Sequence, residues 1–333
     1  MKIERTKELS EKERIQLIVQ ICKLYYENNA TQQQIADMLR LPRTSIVRML
    51  ESGRQLGIVQ TRIIDPYSSR KDLELKIKQY FNLKNVTVVS NFNPGNPILP
   101  TLLAKAAMDY IAGILLPNLT IGLGWGKTIS TFVSLFAQQD FLKYRDLWVP
   151  LIGSLGETEI EFNMNELVKL ISEKTGGYFT SIHAPALADS KEIKDILISS
   201  SSIKSIADLW HHLDIAIVGI GGLFTGKLSH LPLLHLKYYP QSDRNDIFCS
   251  SAVGDILSRY YDIEGNICNI NINSRIIGID LEILKKVPYS IALAGGSYKI
   301  KAIIGALRGK YINTLITDES AAIGICDFID KNT

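Results

Sequence analysis

The chain has few cysteines for its length, and none of them is grouped. Cys22, Cys249, Cys268 and Cys326 form no C-x-x-C pair and have no histidine at metal-ligand spacing. That argues against a disulfide framework and a zinc module, and free thiols in a reducing cytoplasm are expected. No metal or cofactor is expected. Uninterrupted long hydrophobic runs are also missing. The longest, "ILPTLLAKAAMDYIAGILLP", contains Lys105 and Asp109 with prolines near both ends, which predicts a buried amphipathic helix and no membrane span. The opening segment "MKIERTKELSEKER" is charged throughout, unlike a secretory signal. There is no internal repeat, and no low-complexity tract beyond "ISSSSIKS".

Two nucleotide signatures are approached and missed. "LTIGLGWGKTIS", residues 119–130, has the Gly126-Lys127-Thr128 close of a triphosphate loop, but Ile121 stands where its first glycine belongs. The dinucleotide pattern fails as well, because Lys127 takes the place of the third glycine after Gly122 and Gly124. The turn suits a phosphate or a row of hydroxyls without triphosphate geometry.

Positive charge is short overall but unevenly placed. The net charge of the 333 residues is +3, and residues 1–66 hold 11 Lys and Arg against 8 Asp and Glu, so the remainder is neutral. An N-terminal segment that meets a polyanion follows. Ile15, Ile18, Cys22 and Tyr25 predict a first helix ending at Asn28-Asn29. Thr31 with Gln34 predicts a capping box ahead of Ile35, Met38 and Leu39. Pro42 suits the first turn of a third helix, with Ile46, Met49 and Leu50 inward and Gly57 as its end. "IVQTRII" then alternates like a short strand.

This is the layout of a winged helix-turn-helix, whose second motif helix enters the major groove. Arg43, Thr44, Val47 and Arg48 fall on its outward face, with Ser45 at the border. Arg can fork onto guanine, and Thr or Ser can bond bases or phosphates. Gln32 and Gln33 are placed to hold phosphate oxygens. The expected partner is double-stranded operator DNA, and residues 1–66 are the expected DNA-binding domain.

Residues 65–72, "DPYSSRKD", read as a linker into residues 67–333. There, short β-rich runs ("NVTVVS", "LTIGLG", "LWVPLIG", "YFTSIHAP", "DIAIVGIGG", "SIALAGG", "NTLITD") alternate with helical ones such as 99–116, 127–138, 163–174, 298–307 and 319–328. Nearly all-apolar strands imply a parallel sheet covered on both faces, a doubly wound Rossmann-like α/β domain. Ligands in such sheets sit beyond the carboxyl ends of the strands. Five strands end there in "GWGKT", "GSLG", "HAP", "GIGG" and "AGGSYK". Glycine lets backbone N–H groups approach an anion, and a following helix N-terminus adds positive partial charge.

"RTSIVRMLESGRQLGIV", "IHAPAL", "IAIVGIGG", "AVGDILSRYYDIEGN", "IIGIDLEILKKVPYSIALAGG" and "ALRGKYINTLITDESAA", in this order, resemble the SorC family of bacterial sugar-responsive transcriptional regulators. The resemblance runs from about Glu13 to Ile325. It implies a DNA-binding domain and an effector domain related in fold to sugar-phosphate isomerases. It also implies a homo-oligomer, usually a tetramer, and an effector that is a sugar, polyol or sugar phosphate. By position it puts the anion turn on Gly124, Trp125, Gly126, Lys127 and Thr128. A polar contact to the sugar falls on Asn163, the acceptor of sugar hydroxyls on Asp255, and the base that meets a phosphate or outer hydroxyl on Lys299. The chain departs from the common pattern at Pro42, where a serine is usual, and in the insert "FTGKLSHLPLLHLKYYPQSDRND".

A sugar-phosphate isomerase fused to a DNA-binding module is the alternative. It would need a general base and a ring-opening acid. His183 at a strand end is a candidate ligand contact, or else a buried, hydrogen-bonded histidine. His211 and His212 read as a surface turn, and Asp280 as a helix N-cap. No catalytic pair emerges, so a regulator is expected and not an enzyme.

Overall fold

The computed structural model describes residues 10–28, 30–59, 70–90, 97–136, 145–155, 163–223 and 239–332. The chain divides into two units, Met1–Ser68 and Ser69–Thr333.

The first unit is built by local signals. Helix α1 (Glu11–Tyr26) starts in a capping box of Ser10 and Glu13. α2 (Gln32–Leu39) starts in the expected box: Gln34 N–H donates to Thr31 Oγ1 (3.3 Å) and Thr31 N–H to Gln34 Oε1 (2.9 Å). Arg40, left-handed at φ +52°, turns the chain toward α3 (Arg43–Gln55). Pro42 is the N-cap of α3 and does not sit inside its first turn. Gly57, at φ +69°, follows the last turn, where the left-handed conformation suits a residue without Cβ. Ile18, Ile21, Cys22, Ile35, Ala36, Ile46 and Leu50 make the core. Two expected core members differ: Met38 is 65% exposed and Ile15 41%. The expected wing strand lies almost wholly outside the described residues, and Ile58 and Val59 are not in a strand.

In the second unit the helices are α4 (Arg70–Phe81), α5 (Leu99–Ala112), α6 (Lys127–Phe136), α7 (Met164–Thr175), α8 (Lys191–Ser199), α9 (Ser201–Trp210), α10 (Gln241–Cys249), α11 (Asn271–Arg275), α12 (Leu281–Leu284), α13 (Ile300–Arg308) and α14 (Glu319–Asn332). The strands are β1 (Asn85–Val89), β2 (Thr120–Leu123), β3 (Leu147–Pro150), β4 (Tyr178–Phe179), β5 (Ile215–Gly219), β6 (Gly221–Gly222), β7 (Gly254–Ile256), β8 (Arg259–Tyr261), β9 (Tyr289–Leu293) and β10 (Thr314–Asp318). Seven strands form one parallel sheet in the order β1-β10-β9-β5-β2-β3-β4. In β10 every residue is buried, and in β5 all but Gly219. This is the doubly wound Rossmann-like fold. At the β1 edge, Val88 N–H donates to Glu74 of α4 (2.8 Å), which satisfies a ladder group that has no strand partner.

The topology positions the site. From β2 the chain winds outward through β3 and β4; it then returns to β5 on the other side of β2 and winds outward through β9 and β10. The strand order therefore reverses between β2 and β5, and the carboxyl ends of those two strands are where folds of this kind place their ligands. A second, antiparallel sheet, β6-β7-β8, lies next in the chain after β5. The strand expected over 178–185 is paired in the main sheet only at Tyr178 and Phe179. Among the described residues, no helix is long and apolar enough to cross a membrane.

Candidate functional site

In the first unit, α2 and α3 present the expected polar residues. Arg43, Thr44, Val47 and Arg48 are exposed, and Ser45 is half-buried. Arg43 is tied to the preceding helix, its guanidinium donating to Gln32 Oε1 at 3.4 Å. Gln33 is exposed and donates along its own helix to Asp37 (3.0 Å). A groove of about 630 Å³ opens at the N-terminal end of α2, lined by Tyr25, Tyr26, Thr31, Gln32, Gln33 and Arg43. Sequence reasoning missed the two tyrosines as part of this surface, because they face it from the far end of α1.

In the second unit, parallel pairing brings the turns after β2, β5 and β9 to one edge of the sheet, whereas "HAP" lies beyond the paired part of β4 and is bridged to Ser154. Gly124 follows β2 and donates its N–H to Ile217 O of β5 (2.8 Å), extending the pairing across the reversal point. A Cβ there would lie 2.9 Å from Leu257 Cδ2, so the position must stay small. Gly126 has φ +109°, and Lys127 opens α6 exposed to solvent beside half-buried Thr128. The Trp125 side chain is buried in the apolar core.

Asp255 and Lys299 flank the two glycines of β6. Asp255, on β7, pairs in register with Gly221 and is 3% exposed. A Cβ on Gly221 would lie 2.0 Å from Asp255 Oδ1, and one on Gly222 3.2 Å from Lys299 Cγ. "GIGG" therefore has a steric reason: it lets the Asp255 carboxylate and the stem of Lys299 approach the same short strand. Ser258 N–H donates to Asp255 Oδ2 at 2.9 Å. Lys299 closes a short 3-10 turn, Ser297–Lys299, and is the N-cap residue of α13. Burial pushes its ammonium down to about 8, while the Asp255 carboxylate pulls the other way. Behind it, fully buried Asp318 at the end of β10 accepts from Gly296 N–H (2.6 Å) and from Ser320 Oγ (2.6 Å), fixing the β9-α13 turn.

The remaining predicted residues stand apart from these turns. Asn163 is the N-cap of α7, its Oδ1 accepting from Glu166 N–H at 3.4 Å. His183 is exposed and so is not the buried histidine of the alternative expectation. Its strand end is held by Asn165, which accepts from Ile182 N–H (2.9 Å) and donates to Ile182 O (3.1 Å). His211 and His212 are exposed at the end of α9, as expected. Asp280 is the N-cap residue of α12, as expected, but its side chain makes no cap bond and its carboxylate pairs with the Arg259 guanidinium at 2.7 Å. Arg259 is the stronger attraction because it is buried and needs a counter-charge.

A three-helix unit of helix-turn-helix layout followed in the chain by a Rossmann-like unit with glycine-bearing turns around its reversal point defines a class of ligand-responsive regulator. Comparison with known proteins narrows it. The family model described as "Putative sugar-binding domain" matches residues 65–326. The sorbitol operon regulator of Klebsiella pneumoniae is 32% identical over 311 residues, covering 92% of this chain and 96% of that one. The deoxyribonucleoside regulator of Bacillus subtilis is 29% identical over 312 residues, covering 94% and 97%. The crystal structure of the full-length sorbitol operon regulator SorC from Klebsiella pneumoniae superimposes with a TM-score of 0.77 over 93% of this chain and 97% of that one. The chain belongs to the SorC family of sugar-responsive transcriptional regulators.

Proposed function

We propose that residues 1–66 bind double-stranded operator DNA and that residues 67–333 bind the effector and assemble the oligomer. On this reading Arg43, Thr44, Ser45 and Arg48 face the major groove, and Gln32 and Gln33 hold phosphates. The effector is a phosphorylated sugar or polyol, and the protein controls a carbohydrate-utilisation operon without turning its effector over. The relatives named for a sorbitol operon and for deoxyribonucleosides support a polyhydroxylated ligand.

One observation carries this reading: Asp255 and Lys299 approach the same glycine strand at the sheet's reversal point. An ionised carboxylate only accepts hydrogen bonds, so Asp255 suits hydroxyls. An ammonium only donates, and at a helix N-terminus it is unfavourable unless an anion is near. Lys299, with Lys127 and the Gly124–Thr128 turn, therefore suits the anionic end of the same molecule. Asn163 and His183 are further polar contacts on this reading.

The test is a thermal-shift screen of sugars, polyols and their phosphates, followed by operator-binding titrations with the compound found. Lys299→Ala should keep operator binding and lose the response to effector. A wild-type response at the wild-type concentration would refute the anion site and make an unphosphorylated polyol the better assignment.

A further inference from the structure

The β7-β8 hairpin turns through Leu257 and Ser258, at φ +53° and +62°. Two successive left-handed residues are what a two-residue hairpin turn of the mirror type requires, and glycine or asparagine normally supplies them. Leucine and serine adopt this conformation at a cost, so the turn needs outside support. It has three supports. Leu257 packs on Gly124. Ser258 N–H donates to Asp255 Oδ2. The Ser258 hydroxyl shares a short hydrogen bond with the hydroxyl of Tyr239.

Tyr239 is 3% exposed and directly precedes α10. That helix is itself pinned, because Asp243 in its first turn forms a buried ion pair with Arg275. Arg275 in turn donates to Ala188 O (3.1 Å) and Asp189 O (3.3 Å). The phenol therefore reaches Ser258 from a fixed platform. Burial pushes its pKa well above the ordinary tyrosine value, so it stays protonated across the physiological range.

We propose that Tyr239 is a positioning residue for effector recognition: through Ser258 it holds the Asp255 carboxylate at the angle that discriminates among sugar hydroxyls. This rests on the assignment of Asp255 as the hydroxyl acceptor. The carboxylate is wedged between the Gly221 backbone and the Ser258 N–H, and a shift of Ser258 would release one side of that wedge. Tyr239 itself stays behind the turn and does not touch the ligand.

The experiment uses the full chain and the hexitol, pentitol or hexose, free or phosphorylated, that most raises the melting temperature of the wild type, together with its epimers. Tyr239→Phe keeps the ring and removes one hydrogen bond. It should weaken binding of that compound by about 2- to 10-fold, the span of one net hydrogen bond, and narrow the affinity ratio between epimers. Operator affinity without effector should not change. Ser258→Ala should reproduce the effect, and the double variant should be no worse than either single one. A Tyr239→Phe protein with wild-type affinity and epimer ratio overturns the proposal, as does one that loses melting temperature with the ratio intact. Asp255→Ala separates the two ideas. If it binds normally, the hydroxyl-acceptor assignment fails first; if it loses binding while Tyr239→Phe does not, only the positioning role fails. A wild type that no compound of the panel stabilises overturns both.

Discussion

Lys299 is the residue on which burial and charge pull in opposite directions, and pH should expose the balance. Its ammonium titrates near 8, depressed first by burial and partly restored by Asp255. An anionic effector would stabilise the charged form, so binding should take up a proton above pH 8. Affinity should hold below that value and fall by up to about tenfold per pH unit above it. Folding runs the other way: the unfolded chain holds the proton up to the ordinary lysine range, so this residue makes the fold more stable as pH rises from 8. A loss of binding above pH 8 cannot then be laid to unfolding at this residue. Isothermal titration at pH 7, 8 and 9 checks the slope, and a flat profile points to an uncharged ligand. Gly221 tests the opposite wall. A methyl there would lie 2.0 Å from the Asp255 carboxylate, so Gly221→Ala should abolish the effector response while operator binding persists. In the first unit, Arg48→Ala should cost roughly 1–3 kcal/mol of operator affinity if the residue reads a base, as proposed. A gel-shift titration that finds no change, with the fold intact, removes Arg48 from the recognition set.

At the scale of elements, α2 depends on its first turn. Thr31 and Gln34 satisfy each other's backbone N–H groups. Thr31→Ala should cost the first unit about 0.5–2 kcal/mol, read as faster amide exchange across α2 and α3. That cap was legible in the sequence because both partners sit within one helical turn. So were the parallel strands, whose unbroken apolar runs have few other solutions, and the glycine turns that follow β2, β5 and β9. What escaped the sequence is non-local. Asp280 has the look of a helix cap, but buried Arg259 claims its carboxylate. Met38 keeps helical spacing with Ile35, yet it is exposed while its neighbour Leu39 packs on the core, so α2 turns only one side of its last turn inward. "YFTSIHAP" has strand composition, but its residues beyond Phe179 are bound by Asn165 and by Ser154 instead of by a ladder. The β6-β7-β8 sheet joins segments far apart in the chain, so neither the closeness of Asp255 to Gly221 nor the hydroxyl pair of Tyr239 and Ser258 leaves a pattern to read.

For the molecule as a whole, one copy of the chain offers one α3, and if that helix reads DNA as proposed, it bears on how the protein assembles. A single such helix covers too few base pairs for tight specific binding, so two copies related by a two-fold axis are expected to read two inverted half-sites. In proteins of this docking class the half-sites lie about 34–36 Å apart, one helical turn, or a multiple of it. The effector can alter operator affinity only if it binds two arrangements of the oligomer unequally. The reversal point between β2 and β5 suits this, since any ligand there touches turns that belong to both winding halves of the sheet. Two outcomes follow for the intact protein. Light scattering at micromolar concentration should give a dimer or a tetramer. Inserting about 5 base pairs between the operator half-sites turns one half-site to the far side of the duplex and should cost most of the specific affinity, whereas inserting about 10 restores the facing and should recover much of it. A monomer that binds the operator with full affinity, or an operator indifferent to a half-turn insertion, would break the link between the three-helix unit and a two-fold assembly.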